Sequence, residues 1–151
     1  MTAPLPVAGT APGTEVELLT ALVAAEHAAV YGYGVLGARL DEDLRERAQA
    51  ADDDGRVRRD ALSALLRSRG APVPVPAPAY DVAVAGRADA LALAVRLEEG
   101  LALRWRDLVG GTDDPVLRRT AVAALSSAAV RAARWRRSLG LRPPTVALPG
   151  S

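Results

Sequence analysis

An all-α fold, an antiparallel four-helix bundle with one long crossover, follows from three observations on this 151-residue sequence. The aliphatic residues are almost all Ala, Leu and Val, there is no Phe, and Gly and Pro gather in a few punctuating places. That composition favours long helices over strands. Four segments carry apolar residues at the spacing of a helix with one buried face. Between the second and third lies a proline-rich stretch, 71–86, in which alternating prolines forbid helix and favour an extended polyproline conformation. With 50% of residues hydrophobic and 25% charged, the chain suits one domain that buries a real core.

The opening residues, 1–13, are Pro, Gly and Ala with little hydrophobicity, and are expected to form a flexible tail. The bundle follows over 14–140. Thr14 with Glu17 three residues on makes a capping box that starts a first helix over about 14–40. Its stripe reads Leu19, Leu22, Glu26, Val30, Tyr33 and Leu40, with an acid at its centre. A second helix, about 42–69, starts among Asp41, Glu42 and Asp43 and stops at Gly70 ahead of Pro72. Its stripe is Leu44, Ala48, Ala51, Gly55, Leu62, Leu65 and Leu66. Gly55 at the centre costs roughly 1 kcal/mol relative to Ala, so it needs a packing reason or marks the loss of a larger residue.

The 71–86 segment can extend roughly 50 Å, longer than a helix of some 40 Å, so it can run the bundle's length and start the next helix from the opposite end. A proline-rich ligand for a binding domain is the competing reading. The third helix, about 88–109, is expected to stop at Gly110 and Gly111. Its stripe is Leu91, Ala94, Val95, Glu98, Leu101, Ala102, Trp105 and Val109, with Glu98 at the centre and Glu99 turned about 100° away. The fourth, 115–139, has Asp114 as N-cap and Pro115 at its first position, and ends at Gly140. Its stripe of Leu117, Ala121, Ala124, Leu125, Ala128, Ala132, Trp135 and Leu139 holds no ionisable group. The tail, 141–151, is expected to lie against the bundle through Val146 and Leu148.

Several function classes are disfavoured. A net charge of +1 gives no global field for nucleic acid or anionic membranes, and without Cys there is neither a disulfide nor a thiolate metal site. Nothing near the start reads as a leader, and no run of about 18 uninterrupted apolar residues follows, so a soluble cytoplasmic protein is expected. No serine is placed for a Ser–His–Asp arrangement.

Short links within each hairpin and one long crossover between hairpins are the connectivity of ferritin-like bundles. Such folds hold two metals at mid-bundle through a Glu from each of two helices and a Glu-x-x-His from each of the other two. Glu26 and Glu98 stand where the lone or first glutamates belong. The chain also resembles DUF4439, ferritin-like proteins of unknown function from GC-rich bacteria, through AAEHAAVYGYGVLGARL (24–40), RRDALSALL (58–66), APAYDV (77–82), RLEE (96–99) and AAVRAARWR (128–136). The resemblance implies a histidine just before the RVRRD run, where this chain has Gly55, and the fourth helix lacks the Glu-x-x-His of di-iron members.

The leading expectation is therefore a non-catalytic bundle with a degenerate di-metal site, a structural or interaction module with no cofactor. The alternative is an iron- or manganese-binding oxidoreductase that uses Glu26 and Glu98 with Asp54 or Glu99. Two carboxylates cannot supply a di-iron ligand set. Buried together without a cation they must be relieved by a shared proton, by Tyr33, or by Arg58 or Arg59 reaching in beside Gly55. His27, the only histidine, points about 100° off the stripe and reads as a boundary residue. Arg131, Arg134, Arg136 and Arg137 are read as a solvated helix end, and Trp105 and Trp135 as core or interface anchors. Leu93 and Leu97, outside the stripe, suggest a second apolar face on which a homodimer could form.

Overall fold

The computed structural model describes residues 2–5 and 13–151, and its elements are four helices: α1 (Glu15–Gly37), α2 (Glu42–Ser68), α3 (Arg87–Gly111) and α4 (Pro115–Leu139). The caps are those the sequence indicates. Thr14 Oγ1 accepts from the Glu17 amide at 3.3 Å, and Glu17 Oε2 accepts from the Thr14 amide at 2.7 Å. Asp114 Oδ1 accepts from the Val116 and Leu117 amides, and Gly140 closes α4 at φ 85°, a left-handed geometry that costs glycine nothing.

Two boundaries differ from expectation. α1 stops at Gly37, although Leu40 beyond it is still buried. α3 runs through Gly110 and Gly111 rather than stopping there. The reason at Gly111 is close packing: a Cβ there would lie 2.1 Å from Leu18 Cδ1, so the glycine lets α1 press against the end of α3.

Ion pairs mark the ends of the bundle. Arg69 after α2 reaches Glu15 at the start of α1 at 2.9 Å, and Thr112 after α3 donates to the same Glu15 at 2.7 Å. At the opposite end, Arg87 opening α3 meets Asp41 ahead of α2 at 3.3 Å. α1 therefore runs antiparallel to both α2 and α3, and α4 returns antiparallel to α3. The crossover spans the bundle from end to end.

α1 packs on α2 and on α3, and α3 packs on α4, whereas α2 and α4 make no close backbone approach. The core fills these three seams, with Leu19, Leu22, Leu36, Leu66, Leu91, Leu93, Leu101 and Leu108 almost wholly buried. Each such side chain contributes roughly 1.5–3 kcal/mol by leaving water, enough in sum to offset polar groups buried among them. α1, flanked on two sides, has the length and mean hydropathy of 1.2 that a membrane-crossing helix would need, but 56% of that window is buried inside the fold.

Leu93 and Leu97 are buried, not a second exposed face. α3 is flanked by both α1 and α4, which widens its buried arc beyond a single stripe, and Leu97 fits over Gly32, where a Cβ would lie 2.7 Å from its Cδ1.

The crossover is held to the bundle by its own side chains. Tyr80 is buried against Tyr31, ring centroids 5.4 Å apart, and Val73, Val82 and Val84 pack on the core. Ala3 pairs with this segment in an isolated parallel bridge, its amide donating to Ala79 O and its carbonyl accepting from the Asp81 amide. The expected free tail is thus pinned at this point, while residues 1 and 6–12 of it lie outside the described residues. The segment 141–151 lies against α3 and α4: Val146 lines a cleft with Ala102, Ala129 and Ala132, whereas Leu148 is 71% exposed and anchors nothing. Arg106 Nη1 also holds it by donating to Gly150 O at 2.7 Å.

Candidate functional site

Halfway along the bundle, Glu26 on α1 and Glu98 on α3 are both 0% exposed. Each is met by a guanidinium from an outer helix. Arg58 of α2 donates through Nε to Glu26 Oε1 at 2.7 Å and through Nη2 to Oε2 at 3.3 Å. Arg131 of α4 donates through Nε to Glu98 Oε1 at 2.9 Å. The arginine side chains remain 20% and 17% exposed, so their stems line the core edge while the heads reach inward.

Gly55 faces this pair. A Cβ at that position would meet Glu26 Oε2 and Val30 Cγ2 at 3.4 Å and Arg58 Nη2 at 3.7 Å, ordinary contact distances, so the glycine lies beside the Arg58–Glu26 pair without being sterically required there.

Glu98 has a second partner. Tyr33 donates its hydroxyl to Oε1 at 2.6 Å, and the same hydroxyl accepts from Trp135 Nε1 at 3.0 Å, so α1, α3 and α4 feed one network at Glu98, while α2 serves Glu26. Glu98 Oε2, by contrast, has no hydrogen-bond partner.

Protonation follows from these surroundings. Burial raises the Glu26 carboxyl above its ordinary value, and the nearby Glu98 charge adds to the rise, while the Arg58 bond and charge oppose it. Burial and the Glu98 carboxylate hold Tyr33 well above the usual phenol range, keeping it a donor. Burial alone would lower Arg131, but its bond to Glu98 and the charge of that carboxylate outweigh this and raise it.

Of the expected neighbours, Tyr33 and Arg58 are at the site. Arg59 is not: it pairs with Asp60 at 2.8 Å. Asp54 is exposed, and Glu99 is bound by Arg136. His27 sits at the boundary, its Nε2–H donating to Pro74 O of the crossover at 3.1 Å; burial lowers its pKa, which favours the neutral ring. Arg131, read as part of a solvated helix end, instead turns inward. Its spacing was the available signal, since 131 lies three residues after Ala128 and four before Trp135, on the same face. Asp52 was also missed: it is buried, holds Arg56 through Oδ2, and leaves Oδ1 without a partner.

The donor set does not fit a di-iron or di-manganese pair. Among the described residues no three His, Cys, Asp or Glu side chains converge, and three of the four oxygens of Glu26 and Glu98 are already engaged by protein donors. A pair of such ions needs several bridging carboxylates.

The chain matches the family described as a domain of unknown function, DUF4439, over residues 18–151. It belongs to that family. The DUF4439 chain is similar to the crystal structure of a conserved hypothetical protein, rv2844, from Mycobacterium tuberculosis, at 36% identity and TM-score 0.80, with 89% of this chain and 96% of that one covered. A hypothetical protein, MJ0754, from Methanococcus jannaschii shares the fold at TM-score 0.68 and 16% identity, over 95% of this chain and 89% of that one. Among curated proteins nothing matches.

Proposed function

We propose that this chain is a non-catalytic ferritin-like bundle, a cytoplasmic structural or interaction module in which two guanidinium–carboxylate pairs occupy the position of a di-metal centre. The observation that carries this reading is the placement of the charges. The glutamates come from α1 and α3, and the arginines come from α2 and α4, the helices on which Glu-x-x-His ligands would be required. A guanidinium beside each carboxylate compensates the charge that a cation would otherwise balance.

Self-association belongs to the same proposal, but not through Leu93 and Leu97. Sedimentation equilibrium at high micromolar concentration tests this, and a monomer under those conditions removes it.

The test of the main reading is metal analysis of protein purified without chelator, combined with thermal melts of wild type and Glu26→Gln in the presence and absence of ferrous and manganous ions. The expected result is substoichiometric metal and midpoints that ignore the added ions. A metal-dependent rise in the wild-type midpoint that vanishes in Glu26→Gln would establish the iron- or manganese-binding alternative instead.

A further inference from the structure

The two helices that do not approach each other, α2 and α4, leave a groove of about 390 Å³ between them. Its α2 wall is Arg47, Ala50, Ala51 and Asp54; its α4 wall includes Val130, Arg131, Arg134 and Trp135. On each helix these positions recur at three- to four-residue steps, so both walls are true helix faces rather than loop edges.

The charges in the groove do not cancel. Arg131 is balanced by Glu98 behind it. Arg47 is stacked 5.6 Å from the centroid of the Trp135 ring and touches Ser138, contacts that fix its head without neutralising it. Arg134 makes no ion pair among the described residues, and one acid, Asp54, lies on the facing wall. One cationic charge is therefore left over, in a cleft otherwise walled by Ala, Val, indole and the hydroxyls of Ser126 and Ser127.

We propose that this groove binds a small organic monoanion, a carboxylate on an apolar body, with Arg134 and Arg47 holding the carboxylate, Ala50 and Val130 covering the body, and the buried Ala51 and Trp135 forming the floor. The planar fork of a guanidinium matches a carboxylate with two parallel hydrogen bonds, and the Ser127 hydroxyl stands on the same wall as a further donor. The volume lies at the lower end of small-molecule sites, and the mixture of apolar walls with a few placed polar groups is their usual makeup. The groove adjoins the buried acids through Arg131 and Trp135, so its net charge rests on the reading above, in which Arg131 stays paired with Glu98.

Isothermal titration with 2-naphthoate tests the proposal, using naphthalene-2-methanol as the uncharged probe of equal body. Saturable naphthoate binding at submillimolar concentration is expected, weakened at least tenfold for the alcohol and at least tenfold by Arg134→Ala, an exposed position where the fold is indifferent to truncation. Arg134→Lys should restore part of the loss, because the charge returns without the fork. Absence of saturable heat up to 10 mM naphthoate, equal affinity for the alcohol, or undiminished binding by Arg134→Ala would each overturn it.

Discussion

Glu26 and Glu98 occupy equivalent places on the two central helices and are equally buried, yet they are satisfied in different ways. Glu26 depends on one residue, Arg58, which engages both of its oxygens. Glu98 draws on two, Tyr33 and Arg131, both at the same oxygen, with the other left bare. One acid therefore has full coordination and no redundancy, and the other has redundancy and incomplete coordination. A buried carboxylate tolerates loss of a partner according to how many donors remain, not according to how short its best hydrogen bond is.

Replacing the arginines tests this most severely. Arg58→Met leaves Glu26 with no donor in an apolar surround and should cost about 3 kcal/mol, the scale of breaking a buried pair from one side. Arg131→Met leaves Glu98 with the Tyr33 hydroxyl and should cost nearer 2 kcal/mol. Equal losses in urea unfolding at neutral pH would erase the distinction. Tyr33→Phe comes next, at about 2 kcal/mol, since it takes one donor from Glu98 and strands the buried Trp135 Nε1–H. Its near-ultraviolet circular dichroism should change with the indole's environment.

The smallest effect sharpens the Glu26 side. Because burial raises this carboxyl in the folded state, its contribution to stability is complete below the unfolded value, near 4.5, and declines as pH rises above that point. Glu26→Gln keeps the shape and removes the titration. Its stability should stay within about 1 kcal/mol of wild type at neutral pH, and the balance should move in the mutant's favour between pH 5 and pH 7.5. Urea midpoints at those two pH values measure it, and a shift in the wild type's favour would show that Arg58 outweighs desolvation.

Much of the fold was legible because helix starts, stops and stripes are local: Thr14 with Glu17, Asp114 with Pro115, and Gly140 each declare a boundary without knowledge of the rest of the chain. The errors were tertiary. Gly110 and Gly111 read as a stop, but Gly111 answers to Leu18, which comes from another helix. Leu93 and Leu97 read as surplus because a stripe analysis allows a helix one neighbour, and α3 has two. At the site, the two acids stood out as charges on apolar faces, and Gly55 pointed to Arg58 or Arg59 without choosing between them; Arg58 is the one that reaches Glu26. Arg131 was hidden by its company, since three further arginines nearby made a solvated helix end the simpler reading of all four.

The contact order α2–α1–α3–α4 is a line, not a ring, and this shapes how the protein opens. A helix at the end of the line packs its backbone on one neighbour and can swing away with the loss of that seam and of the Arg47 side-chain contacts between α2 and α4, whereas α1 or α3 must break two seams. Local unfolding should therefore be graded, with amide hydrogens in α2 and α4 exchanging through partial openings and those in α1 and α3 only through global unfolding. Each outer helix also carries the arginine that neutralises a central acid, so its departure hydrates that acid in the same step. Opening and charge exposure become one event, which makes the outer helices the natural point of entry for acid, protease or partner.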